Sequence, residues 1–302
     1  MVDINSAINL ATALWLGVIG ACVGSFLNVV AFRLPLGISV VWKPSYCPNC
    51  RHPIRARDNL PVLGWLLLRG RCRDCSEPIS PRYAIVEAVL GLTFFALAYV
   101  ELIGGGANLP GGPISPYTSA MDNFWYPHWL LIGTYAYHCL LLSLLMSLVL
   151  IDLDRQRAPL RLMIFAAVSA LLCALFFPQL HAAAGPLLPT MSDVTAAVVD
   201  FALGALVGLA LGLMFAIPAG RFSVGDDGQT SNLVAALTLV GGFLGWHAVL
   251  TIVVPTIGFC GLAFLLLSKQ PALGRSLCLP VLWIATMSFI AFWRDLAALT
   301  PW

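Results

Sequence analysis

The sequence predicts an all-α polytopic membrane protein with about eight transmembrane helices and a small cytoplasmic tetracysteine zinc module. Three observations carry that expectation. Of 302 residues, 60% are hydrophobic and 10% charged, and the mean hydropathy is +0.90, whereas a soluble domain carries about 25% charged residues. Several apolar runs approach or exceed the ~20 residues needed to cross a bilayer. Lys and Arg gather in alternate loops, as they do on the cytoplasmic side of membrane proteins. This composition excludes an ordinary cytosolic enzyme, a disordered chain and a free nucleic-acid binder.

The first run, 8–32, has no basic n-region and is too long for a secretory h-region, so it reads as a true span rather than a cleavable signal peptide. The segment 33–82 follows and is the only soluble-looking stretch. It holds nine of the sixteen basic residues against Asp58, Asp74 and Glu77, a formal charge of +6. A second span covers 83–103. The loop to 128 is rich in Gly and Pro, lacks Lys and Arg, and ends in Trp125, Tyr126 and Trp129, suited to an interfacial aromatic belt. Further spans are expected at 129–151, 161–178, 194–218, 232–248, 249–268 and 279–296, the sixth and seventh running together through Trp246, His247 and Pro255. Basic residues recur at Arg155, Arg157 and Arg161, at Arg221, and at Lys269 and Arg275. Eight spans place all of these loops inside and both termini outside. The chain thus divides into a first transmembrane helix (1–32), a cytoplasmic zinc-binding loop (33–82), a second helix with an outside loop (83–128) and a larger transmembrane domain (129–302).

Within the loop, Cys47-Pro48-Asn49-Cys50 and Cys72-Arg73-Asp74-Cys75 are separated by 21 residues. Two C-x2-C pairs make a closed S4 site, the usual arrangement for structural zinc. A segment too small to build its own core can take its folding energy from the metal. A reducing compartment keeps the thiols free for it. An iron–sulfur cluster uses the same ligands. The other five cysteines, Cys22, Cys139, Cys173, Cys260 and Cys278, lie in or beside spans and read as apolar filler. The five histidines show no metal-ligand spacing.

Gly24-Ser25-Phe26-Leu27-Asn28-Val29-Val30 followed by Arg33-Leu34-Pro35 resembles the start of the type IV prepilin peptidase family. So do the tetracysteine segment, Asn59-Leu60-Pro61-Val62-Leu63, Arg69-Gly70-Arg71-Cys72, Pro78-Ile79-Ser80 and Val86-Glu87. The resemblance implies a membrane-embedded aspartic peptidase of the GxGD type. It also implies N-methylation of the newly exposed N-terminus, and hence S-adenosylmethionine as a cofactor beside the structural zinc. The substrates implied are prepilin or pseudopilin precursors, in a pilus or type II secretion machinery at the cell inner membrane.

On this resemblance the catalytic pair is Asp152 and Asp226. Ile151-Asp152-Leu153-Asp154 with Pro159 matches the first motif, and Val224-Gly225-Asp226 matches the centre of the second. Two carboxylates brought together share a proton, one acting as base on water and the other as acid on the scissile carbonyl. Asp154, two residues from Asp152, faces elsewhere on a helix, and Asp227 rivals Asp226. Asp200, inside the fifth span, is expected in a polar contact within the bundle. Glu87 and Gly91 fall in the region the resemblance ties to methyl transfer and its cofactor. The small-residue patch Gly20–Ser25 also suits helix packing.

The pattern is altered at Ser223 and Gly228 and by the polar stretch 227–232. A catalytically silent, zinc-stapled membrane scaffold of a pilus or secretion system is therefore the alternative reading. A transporter is a third, against which the lack of symmetric broken helices counts.

Overall fold

The structure is a computed structural model that describes residues 4–42, 44–109, 112–115, 119–178, 192–221, 229–266 and 276–299. The chain forms two compact units, Met1–Tyr99 and Val100–Trp302. The described residues are mainly helical, and their only β pairing is two isolated bridges.

In the first unit α1 (Ile4–Arg33) lies along α3 (Arg82–Leu97). Small residues let the two backbones meet, as is common where lipid gives apolar side chains no reason to cluster. A Cβ on Gly20 would fall 2.6 Å from the Leu90 carbonyl oxygen, and one on Gly24 would fall 2.8 Å from Cα of Glu87. Asn28 closes the contact by donating to the Tyr83 carbonyl at 3.3 Å. Between the two helices run a 3-10 turn (Ala56–Asp58) and the short α2 (Leu63–Leu67). Trp65 donates its indole N–H to the Ile79 carbonyl at 2.9 Å, fastening α2 to the end of the loop. After α3 the chain widens into a π-helical turn, Ala98–Ile103.

The second unit opens on α4 (Ala120–Trp125), whose cap Ser119 accepts from the Asp122 N–H at 3.1 Å. Its centre is α5 (Trp129–Leu153), buried along most of its length. Against it pack α8 (Gln229–Leu266) and α9 (Cys278–Ala291); α7 (Asp193–Arg221) lies along α8, α6 (Leu160–Phe176) packs on α7 and α8, and the short α10 (Trp293–Leu299) follows α9. Gly204, Gly208 and Gly212, four residues apart, bring α7 onto α8, where a Cβ on Gly212 would fall 2.8 Å from Cα of Val234. Trp283 of α9 donates to the Leu142 carbonyl at 2.9 Å, and Tyr137 to that of Phe243 at 2.9 Å.

The eight expected spans fall on α1, α3 with its π-turn, α5, α6, α7, two halves of α8, and α9. Five helices are long and apolar enough to cross a membrane by length and composition, while α6 and α9 are shorter apolar helices. The sixth and seventh expected spans are one run with a break at Gly245 (φ 82°, ψ 171°). Only Gly takes that φ without strain. The carboxylate of buried Asp200 adds a second constraint: a Cβ on Gly245 would fall 2.8 Å from its Oδ1. Asp200 is thus buried inside the bundle, as expected, against the α8 backbone at Gly245.

Candidate active site and metal centre

The metal centre lies in the first unit and is built by two matching turns. In the first, Cys47 N–H donates to the His52 carbonyl (3.0 Å) and Arg51 N–H returns to that of Cys47 (2.9 Å). In the second, Cys72 N–H donates to the Glu77 carbonyl (2.8 Å) and Ser76 N–H returns to that of Cys72 (2.9 Å). The residue after each second cysteine has a left-handed backbone, Arg51 at φ 59° and Ser76 at φ 60°. Each turn thereby presents both thiols of its pair on one side.

The four sulfur atoms lie within 4.8 Å of one another, with Cys47–Cys75 at 3.7 Å and Cys50–Cys72 at 3.9 Å. A tetrahedral ion with metal–sulfur bonds of ~2.3 Å sets its ligands about 3.8 Å apart, so the donor set fits a closed S4 ion. The Cys50 backbone N–H points at the Cys47 sulfur and holds that thiol below its usual range, while neighbouring thiols push Cys50 and Cys75 up, as expected of four thiols crowded together.

Ion pairs cross between the turns. Arg55 meets Asp74 at 3.0 Å, and Arg73 grips Asp58 through two nitrogens at 2.8 and 2.5 Å. Arg73's hydrogen bond holds the Asp58 carboxyl below its usual range. That link is therefore complete above the ordinary carboxylate value and is lost only as pH falls through the lowered one.

Glu87 and Gly91 take supporting positions in the same unit. The Glu87 carboxylate accepts the Val62 N–H at 2.6 Å. It holds a β-branched residue at φ 62°, a conformation that costs energy unless something fixes it. Gly91 faces α1, where a Cβ would fall 3.1 Å from the Gly17 carbonyl oxygen.

In the second unit Asp152 sits in the last turn of α5 and is 2% exposed. The helix ends there in a Schellman motif. Gln156 N–H donates to the Ile151 carbonyl at 3.0 Å and Arg155 N–H to that of Asp152 at 2.8 Å, with Arg155 left-handed at φ 54°. Glycine is the usual occupant of that position. Arg155→Gly should therefore raise stability by about 1 kcal/mol, read as a higher thermal midpoint in detergent.

Asp154 is the half-buried C-cap beyond Asp152. Asp226, with Ser223, Gly225, Asp227 and Gly228, lies outside the described residues.

What the structure does bring to Asp152 is Asn232, in the first turn of α8 and 0% exposed. Its amide nitrogen donates to Asp152 Oδ1 at 3.1 Å and to the Gln156 carbonyl at 2.7 Å, and its oxygen accepts the Ala158 N–H at 2.8 Å. One side chain thus ties the carboxylate, the turn after it and the head of α8 together. In the sequence Asn232 is one residue of the polar stretch 227–232. The available signal was an amide at the threshold of an apolar helix, where a buried polar group must find partners.

A further buried pair with no motif in the sequence is Glu101 of the π-turn and His138 of α5. They are 0% and 1% exposed, with Oε1 and Nδ1 2.5 Å apart.

The fold and the site define a polytopic helical membrane protein with a tetracysteine metal module and a buried, clamped aspartate at a helix end. Residues 18–101 match the bacterial peptidase A24 N-terminal domain. A prepilin leader peptidase/N-methyltransferase of Myxococcus xanthus is 55% identical over 84 residues, 28% of this chain and 25% of that protein. Proteins of the same name from Klebsiella pneumoniae and Aeromonas hydrophila match far more of the chain. The first is 35% identical over 76% of this chain and 83% of its own length, the second 30% identical over 93% and 89%. No solved structure matches. The chain belongs to the prepilin leader peptidase/N-methyltransferase family.

Proposed function

We propose that this chain is a membrane-embedded aspartic endopeptidase. It removes leader peptides from prepilin or pseudopilin precursors at the cytoplasmic face of the inner membrane and then methylates the new N-terminus. The carrying observation is the clamp on Asp152. A carboxylate withdrawn from water at a helix end is costly and marks a functional site, and this one is bound to the head of the helix that Gly225-Asp226 precedes.

Asp152 and Asp226 are the proposed pair. The ionised carboxylate takes a proton from a water as its oxygen attacks the scissile carbonyl. The protonated one donates to the carbonyl oxygen, and then a proton passes to the leaving amine. Asn232 keeps Asp152 Oδ1 oriented throughout. Cys47, Cys50, Cys72 and Cys75 would hold zinc as a closed four-thiolate site, which would serve to fold the loop.

For the second activity, S-adenosylmethionine, when bound, would supply the methyl group for the free N-terminal amine. The chain's own part is to hold the donor, with Glu87 and Gly91 shaping the region.

The test is reconstitution of the purified protein with a pilin-like precursor, following leader removal by mass. Asp152→Asn and Asp226→Asn should each lose cleavage by at least 1,000-fold (~4 kcal/mol of barrier) while retaining zinc. Wild-type cleavage in either variant removes that residue from the dyad. No cleavage by folded, zinc-loaded wild type across several precursors favours the silent scaffold, for which the altered Ser223 and Gly228 are the supporting observation.

A further inference from the structure

The first unit contains a cavity of about 370 Å³ where the last turns of α1 meet the metal-bearing loop. Small-molecule sites run from about 300 to 1,000 Å³. On the α1 side it is lined by Ser25, Phe26 and Arg33; Ser45, Asn59 and Pro61 close it from the loop. The helix spacing of the first set explains the motif Gly24–Asn28. One face of α1 (Gly17, Gly20, Gly24) is spent on α3, and the other (Ser25, Phe26) is left for the cavity.

We infer that this cavity is where the chain holds S-adenosylmethionine, an inference that rests on the methyl-transfer reading above. The wall chemistry suits the three parts of that molecule. A sulfonium cation is attracted to an aromatic face, and Phe26 is half exposed in the wall. An amino-acid carboxylate calls for a guanidinium. Arg33 is 7% exposed, with its position set by donation to the Pro44 carbonyl at 3.1 Å and the Ser39 carbonyl at 3.4 Å. Ribose hydroxyls and an adenine edge call for small polar groups, which Ser25, Ser45 and Asn59 provide.

This geometry also assigns Glu87. It is not in the cavity wall. Its carboxylate fixes Val62 N–H, directly after Pro61 and close to Asn59, so Glu87 is a positioning residue that sets the loop side of the site.

The test is direct binding. Full-length protein in nanodiscs is titrated calorimetrically with S-adenosylhomocysteine, and ultraviolet cross-linking of radiolabelled S-adenosylmethionine is mapped by peptide mass. Phe26→Ala and Ser25→Leu, the second filling the cavity, should each weaken binding tenfold or more. Glu87→Ala should do the same, and Glu87→Gln, which keeps an oxygen for Val62 N–H, should restore it. Zinc content and helical circular dichroism report that each variant is folded.

Label found on peptides 22–33 or 40–61 supports the site. Label elsewhere, or full binding by both Phe26→Ala and Ser25→Leu, overturns it while leaving methyl transfer standing. A wild type that binds no donor and leaves its product unmethylated overturns the methyl-transfer reading itself.

Discussion

Asn232→Ala should slow leader removal about 100-fold, the scale on which a misplaced catalytic group loses rate. The substitution strips one hydrogen bond from Asp152 Oδ1, one from the Gln156 carbonyl and one from the Ala158 N–H. Buried groups left without partners cost about 1–3 kcal/mol each. Relaxation of the turn will offset part of that, leaving roughly 2–4 kcal/mol of lost stability. Asn232→Asp should be worse for cleavage than for folding, because a second carboxylate then faces Asp152 and repels it. The decisive comparison is single-turnover cleavage by mass against thermal unfolding of the same preparations. Wild-type turnover in a destabilised Asn232→Ala protein would make the clamp purely architectural.

Loss of the metal should collapse the loop and spare the helices. Cys72→Ser, or a strong chelator on the wild type, removes a bond network worth about 10–16 kcal/mol in comparable small zinc peptides. The loop between α1 and α3 has little else, since its helical content is one 3-10 turn and the five-residue α2. Rapid proteolysis confined to residues 40–80 is expected, with helical circular dichroism nearly unchanged. Elemental analysis should find about one zinc per chain before treatment, as a four-thiolate site requires; iron in its place would correct the metal. Protease resistance surviving complete demetallation would mean that Arg73–Asp58, whose carboxylate is largely buried, and the more exposed Arg55–Asp74 hold the loop by themselves.

Hydropathy made most of the fold legible. The expected span at 8–32 is α1, 83–103 is α3 with its π-turn, and 129–151 is α5, each within a few residues. The four-cysteine cluster was legible too, because two C-x2-C pairs state in their spacing which thiols can converge.

The features that escaped depend on contacts between distant segments. Nothing local in 98–103 announces a π-turn, which serves to present Glu101 to His138, 37 residues on. The break in α8 falls at Gly245 rather than Pro255. A proline can be accommodated in a membrane helix, whereas Asp200 and a left-handed φ leave Gly245 no alternative. Asn232 looked like loop composition because its partners are 74 to 80 residues away. The small-residue patch read as helix packing serves that purpose at Gly20 and Gly24, and the Gly204–Gly212 series performs the same service for α7.

The length of α6 carries a consequence for the lipid. The helix has 17 residues and begins directly beyond the turn that follows Asp152. At 1.5 Å per residue it reaches roughly 26 Å, several ångströms less than the ~30 Å hydrocarbon slab. Membranes meet such a shortfall by dimpling or by snorkelling of flanking groups, and Arg157 and Arg161 stand at that end to reach headgroups. A dimple there would bring headgroups and water toward the end of α5 that carries Asp152, so a hydrolytic reaction beside lipid would draw its water from a local deformation of the leaflet.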